Sequence, residues 1–330
     1  MDIPIKILTG DATRISVDVL ALKYAQANYG LDKLVISILT DGGRDPALMR
    51  PKTGGFRLVD GVPELAARQV LFIGVVPLYS FGYQEIREFS RRVFSTLAGS
   101  APDTQRVALT LHGAGYGLDE LEAFESEVAG VVDSIRTLDF PEGLSEIIFV
   151  ERNRGRAIRL EKRLKELLPS GTISAAPMDR GSESRPEDSE RLRSAGYSSK
   201  SKEHIFVAMP FKKEMNDHYH YGIQSAVHAA GFLCERADLS SFTGDVVQWV
   251  RDRIRTAKLL VADLTDGNPN VYLEVGYAWG CNVPTVLLVK DTKDLKFDVR
   301  SQRCLTYENI QELEQSLKKE LKELSKNGTI

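Results

Sequence analysis

The run Ala262-Asp263-Leu264-Thr265-Asp266-Gly267-Asn268-Pro269-Asn270-Val271-Tyr272-Leu273-Glu274-Val275-Gly276-Tyr277-Ala278 changes character twice along its length. Its start closes an apolar stretch from Leu259 to Leu264, the pattern of a strand buried on both faces. Asp266, Gly267, Asn268 and Asn270 then fill a connection of turn-forming residues. Helical spacing follows from Val271 to Gly280.

The same alternation extends in both directions. His204 to Met209 is a short apolar run closed by Pro210, and His218 to Ala230 reads as a helix stopped at Gly231. Phe232 to Glu235 predicts a second strand, Asp245 to Ala257 an amphipathic helix with Val246, Trp249, Val250 and Ile254 on one face, and Thr285 to Val289 a further strand. Strand and helix in strict turn predict a doubly wound parallel sheet. Ligands of such sheets bind at the carboxyl ends of the strands.

Three loops meet at that edge. Met209-Pro210-Phe211 leaves the first strand. Asp238 to Gly244 (DLSSFTG) precedes a helix and brings Thr243 and Gly244, suited either to capping that helix or to holding an anion. The third loop carries Asp263 near a strand end, then Asp266, Asn268 and Asn270. Glu274 falls about one turn into the helix, from where it can face the sheet edge. Glycosidic cleavage develops oxocarbenium-like charge on the sugar, and a nearby carboxylate stabilises or attacks it. Asp263 and Asn270 could equally cap the loop, with Glu274 a solvated residue. Against that, Tyr272, Leu273, Val275, Gly276, Tyr277 and Ala278 make an apolar setting for a surface glutamate, and a carboxylate there is either paired or functional.

FVAMPF (206–211) together with ADLTDGNPNVYLEVGYAWG (262–280) resembles the nucleoside 2-deoxyribosyltransferase-like superfamily and its TIR-like relatives, over nearly all of residues 203 to 290. The resemblance implies that Glu274, in the E-x-G-x-A context of Gly276 and Ala278, is the nucleophile or oxocarbenium stabiliser. It implies that Asp263 and Asn270 orient the sugar or the glutamate, and that Phe206, Met209 and Phe211 wall the base or nicotinamide. Pro210, Thr243, Gly244, Asp266 and Asn268 complete the expected substrate site. The Asn-Pro-Asn run departs from the transferase pattern and is more like TIR-like proteins of bacterial signalling and defence. N-glycosidic chemistry is thus implied more firmly than any acceptor.

The chain of 330 residues has room for two domains, with 42% hydrophobic and 27% charged residues and a net charge of −3. That charge is no footprint for nucleic acid. No apolar run is long enough to span a bilayer, and MDIPIKILTGD lacks the features of a signal peptide. Cys234, Cys281 and Cys304 show no metal-ligand spacing, so no metal is expected and the chain reads as cytoplasmic with reduced thiols. Residues 169–202 are rich in Ser, Pro, Gly and charge, predicting a flexible linker between domains at 1–168 and 203–330.

In the first domain, Lys6 to Leu22 (KILTGDATRISVDVLAL) resembles the start of a macro domain, with Gly10 and Asp11 in the ligand-binding turn. Val107 to Leu111 runs into His112-Gly113-Ala114-Gly115-Tyr116-Gly117, where glycines read first as a tight strand-to-helix turn and second as a loop whose backbone N–H groups approach a diphosphate such as that of ADP-ribose. His112 is expected to be a packed histidine. Lys23 to Asn28 (KYAQAN) replaces the asparagine-rich segment usual in macro domains, and ARQVLFIGVVP (67–77) is equally similar to the non-catalytic N-terminal domain of leucyl aminopeptidases. Macro-like α/β domain and TIR-like domain together yield three readings. The first is a homo-oligomeric NAD glycohydrolase, needing no cofactor, regulated by a nucleotide signal in bacterial antiviral defence. The second is a deoxyribosyltransferase or nucleotide N-hydrolase of salvage. The third is a non-catalytic nucleotide-binding module.

Overall fold

A computed structural model describes residues 1–114, 117–175, 186, 189–237, 246–296, 299 and 302–330, and divides the chain into two units. The first comprises 1–114 and 120–200; the second comprises 201–330 together with 115–119, contributed from within the first unit's sequence.

The first unit contains β1 (Asp2–Thr9), β2 (Val19–Tyr24), α1 (Gly30–Asp41), β3 (Phe56–Asp60), β4 (Gln69–Gly74), α2 (Tyr83–Ser100), β5 (Arg106–Thr110), α3 (Glu120–Arg136), β6 (Glu146–Glu151), α4 (Arg154–Leu167), β7 (Thr172–Ser174) and α5 (Glu190–Ser194). Its strands form one mixed sheet in the order β3-β4-β2-β5-β6-β1-β7. β3 and β7, at the two edges, run antiparallel to their neighbours, and the pairs between them are parallel. Leu20 and Leu22 of β2 pack with Val35, Ile36 and Leu39 of α1 on one face. On another part of the sheet Phe124 of α3 meets Phe149 of β6 edge-on, with ring centroids 5.2 Å apart.

The expected linker at 169–202 is ordered at both ends. Ile173 of β7 pairs with Ile3 of β1. Further on, Arg87 of α2 bonds both carboxylate oxygens of Asp133 on α3, at 2.6 and 2.7 Å, and reaches the carbonyls of Leu192, Arg193 and Ala195. The guanidinium fork thus seats α5 and the residue that follows it against α2 and α3 of the first unit. Composition concealed this, because the partners are distant in sequence: Arg87 reaches the segment's backbone carbonyls, and Arg191 pairs with Glu125 of α3. The middle of the segment, 176–185 and 187–188, lies outside the described residues.

The second unit contains β8 (His204–Ala208), α6 (Ser225–Ala229), β9 (Leu233–Glu235), α7 (Val246–Thr256), β10 (Leu259–Asp263), α8 (Pro269–Gly280), β11 (Thr285–Val289), β12 (Cys304–Thr306) and α9 (Ile310–Lys326). The sheet is all parallel, ordered β12-β11-β10-β8-β9. In chain order this is 2-1-3-4-5 read from β9, which puts the topological switch point between β8 and β10. Alternation along the strands divides the core in two. Ile205, Val207, Leu259 and Val261 pack with Tyr219, Ile223, Leu313 and Leu317 on the face of α6 and α9. Phe206, Ala208, Leu260 and Ala262 pack with Val250, Ile254, Val271 and Val275 on the face of α7 and α8. Helices therefore cover both faces, the doubly wound arrangement anticipated from the sequence. The helix expected from His218 to Ala230 differs in its first half, where His218–Gln224 is π-helical before α6 begins.

β9 is an edge strand, and its outward N–H groups are occupied within the unit. Cys234 N–H donates to the Asp119 carboxylate at 2.9 Å and Arg236 N–H to the Gly117 carbonyl at 3.2 Å. A covered edge offers no template for another chain.

Candidate active site

Glu274 occupies the second turn of α8. Asn268 caps that helix through its side chain, bonding Asn270 N–H at 3.0 Å, and Pro269 takes the first helical position, where its missing N–H costs nothing. Val271, Val275 and Ala278 form the buried stripe. Glu274 flanks that stripe and is half-buried, and no hydrogen bond or ion pair to it is found among the described residues. Burial alone pushes its carboxyl up to about 7. Neighbouring Tyr272 anchors the helix, donating to the Asp294 carbonyl at 3.2 Å and accepting from Lys296 N–H at 3.0 Å.

Asp263 is placed differently from the sequence expectation. It is 0% exposed, and alternation along β10 points it to the α9 face, opposite α8. Thr265 N–H donates to one carboxylate oxygen at 3.0 Å, and the hydroxyl of Tyr307 to the other at 2.6 Å. Thr265 Oγ1 also accepts from Lys290 N–H at 3.2 Å. Burial raises the Asp263 carboxyl, opposed by these hydrogen bonds. The network ties the ends of β10, β11 and β12 together beneath the edge.

The remaining expected residues are placed in different ways. Phe206, expected to wall a base, lies instead in the core at 1% exposure, because it is the third residue of a strand covered on both faces. Met209 and Pro210 are buried directly under the edge, whereas Phe211, Asn270 and Asp266 are exposed at it. Asp266 holds a left-handed backbone (φ 64°), an ion pair to Lys212 at 2.9 Å, and a bond from its own N–H to Asp294 at 3.1 Å. Thr243 and Gly244 lie outside the described residues.

Arg236 was not singled out from the sequence. It follows β9 at the same edge, its guanidinium 4.0 Å from the Tyr219 ring centroid, 5.5 Å from that of Phe211, and 3.5 Å from the Met209 sulfur. No motif marks it. Its position emerges only when β9 pairs with β8.

In the first unit, Gly10 N–H donates to the Glu151 carbonyl at 3.0 Å, and Asp11 caps a short helical turn through Thr13. Both bonds to Thr13 hold the Asp11 carboxyl below its usual range. Gly113 has the positive φ of 88° expected of a tight turn, and Ala114 follows it in the same unit. Gly115 and Tyr116 lie outside the described residues, and Gly117 belongs to the second unit. His112 is packed, as expected, edge-on against Phe89 at 4.6 Å, and burial drives its pKa well down. A cavity of about 380 Å³ lies elsewhere in this unit, against Gly54, Gly74, Phe89 and Arg92. None of the residues expected to hold a nucleotide lines it.

No family model matches the sequence, and no curated protein matches it. Solved structures do resemble it. A macrodomain of Trypanosoma brucei in complex with ADP is 20% identical, covering 49% of this chain and 69% of its own, with a TM-score of 0.38. An Oceanobacillus iheyensis macrodomain is 13% identical, covering 48% and 89%, with a TM-score of 0.38. The CMP N-glycosidase of Clostridium botulinum is 18% identical, covering 35% of this chain and 97% of its own, with a TM-score of 0.29. The first two correspond to the N-terminal mixed sheet and the third to the C-terminal parallel sheet. At such identities and scores, the likenesses carry no argument about chemistry. No described helix is long and apolar enough to cross a membrane, and no described cluster of side chains is arranged to hold a metal ion.

Proposed function

We propose that the second unit cleaves the N-glycosidic bond of a nucleoside or nucleotide, with Glu274 as the group that meets the charge developing on the sugar. One observation carries this: Glu274 is a half-buried carboxyl, without a partner among the described residues, on the helix that follows β10 beside the switch point. A structural carboxylate in such surroundings is normally paired, because desolvating its charge is costly. An unpaired one is held ready for a cation that forms there only during reaction.

The bond between C1′ and the base nitrogen breaks, and the base leaves with the electron pair. The carboxylate of Glu274 stabilises or joins C1′, and water then supplies the hydroxyl of the product sugar. NAD suits this site because its nicotinamide already carries positive charge and leaves neutral. A pyrimidine or purine leaving group would need a proton as well.

The test is incubation of the full chain with NAD, the common nucleosides and their 5′-monophosphates, followed by chromatography. Release of nicotinamide or free base by the wild type, reduced at least about a hundredfold in Glu274→Gln, is the expected result. Turnover unchanged by that substitution removes Glu274 from the mechanism. Free base from nucleosides with NAD untouched would move the protein to salvage-type chemistry.

A further inference from the structure

We propose that Arg236 recognises a phosphate group, so that the ligand of the second unit is a phosphorylated nucleotide rather than a nucleoside. This rests on reading the edge at β8 and β10 as a nucleotide site.

Arg236 is half-buried at the carboxyl end of β9, the same edge that carries Met209 and the loop into α8. Half-buried arginines are ordinarily paired to carboxylates. This one rests on the Tyr219 and Phe211 rings and the Met209 sulfur, with no carboxylate bonded to it among the described residues. The adjacent Glu235 does not serve, because Arg253 bonds it at 2.7 Å. The Asp119 carboxylate nearby bonds Cys234 N–H and His228. Aromatic faces fix the plane of the guanidinium while leaving N–H donors unspent, and a planar fork with free donors matches a phosphate.

Placement agrees with this chemistry. β9 and β10 flank β8, so their ends lie about 10 Å apart at the usual strand spacing. The crevice of the switch point lies between Arg236, on the side of α6, and Glu274, on the side of α8. A nucleotide spanning it would set its sugar by Glu274 and its phosphate by Arg236.

The experiment is calorimetric titration of the full chain with CMP, AMP and NAD, and with cytidine and adenosine, for wild type, Arg236→Gln and Arg236→Lys. The expected result is that the wild type binds at least one phosphorylated ligand about ten- to a hundredfold more tightly than its unphosphorylated counterpart. Arg236→Gln abolishes that preference and leaves nucleoside affinity unchanged, while Arg236→Lys restores part of it. Preference for CMP or AMP identifies a monophosphate ligand, and tight binding of NAD alone, lost in Arg236→Gln, a diphosphate one. Equal binding of nucleoside and nucleotide by the wild type, or a preference that survives Arg236→Gln, overturns the proposal. So does a parallel loss of nucleoside affinity, the mark of a packing role. Binding separates this outcome from that of the glycosidase reading: Arg236-dependent affinity with no turnover would sustain the phosphate site alone, and turnover without phosphate preference would sustain only Glu274.

Discussion

The hydroxyl of Tyr307 donates to the carboxylate of Asp263 across 2.6 Å, and both side chains are buried on the α9 face of the parallel sheet. Glu274 rises from α8 on the other face. The two carboxylates that stood together in the sequence motif are thereby separated by the sheet itself, and the consequences of altering them diverge.

Replacing Tyr307 with Phe removes a hydrogen bond to a buried carboxylate and leaves Thr265 as its remaining contact. The expected cost is about 1.5–3 kcal/mol of stability, measured by urea unfolding. Turnover per folded molecule should change by less than a few-fold. A large loss of turnover at unchanged stability would give Asp263 and Tyr307 a direct part in the chemistry.

The Glu274 carboxyl gives stability a distinctive pH dependence. Its value is about 7 in the folded chain against 4.5 ordinarily. Between these values the folded state keeps a proton that the unfolded state has released, so stability falls as pH rises from about 4.5 to 7 and is level above. Glu274→Gln never ionises and escapes this loss. It should therefore exceed the wild type by about 1–3 kcal/mol at pH 8, with the difference closing at pH 4. Thermal unfolding at the two pH values checks this, and an equal difference at both would mean that the carboxyl is not desolvated.

Much of this architecture was readable in advance because it depends on local pattern. Leu259 to Asp263 is continuously apolar up to its last residue, Val271 to Gly280 has helical spacing within what became α8, and Thr285 to Val289 is a short apolar run that forms β11. What escaped depends on distant partners. The π-helical turn at His218–Gln224 has no local marker; its Gly222 lies where an added Cβ would strike Leu313 of α9. β7 and β12 are three residues each and exist through pairing with β1 and β11. The orientation of Asp263 follows from strand alternation only once the faces are assigned, and Arg236 gains meaning only beside Tyr219 and Phe211.

If Glu274 acts as a carboxylate, the same titration governs activity. The ionised form is the one that can meet positive charge at C1′, so kcat/KM should rise through a midpoint near 7 and reach a plateau above it. An initial-rate profile from pH 5 to 9 on whichever substrate is turned over provides the check. A rate that falls through the same midpoint would make Glu274 a proton donor to the leaving base instead.

Arg87 offers a test of how residues 189–200 are held. Its guanidinium is buried, paired to Asp133, and bonded to carbonyls of Leu192, Arg193 and Ala195. Arg87→Ala leaves Asp133 without its partner and frees those carbonyls together, a loss expected to cost about 3–5 kcal/mol. The segment should also open to protease, since its described seat on α2 is this side chain together with the stacking of Tyr197 on the same guanidinium at 4.2 Å. Limited proteolysis followed by mass spectrometry would locate new cuts between 189 and 200. Arg87→Lys keeps the charge but not the fork, so it should fall between wild type and Ala. Global destabilisation with no new cuts there would mean that α5 is anchored by other contacts, such as the bidentate bond of Arg191 to Glu125 at 2.7 and 2.8 Å, and a double substitution of Arg87 and Arg191 would then be needed to release it.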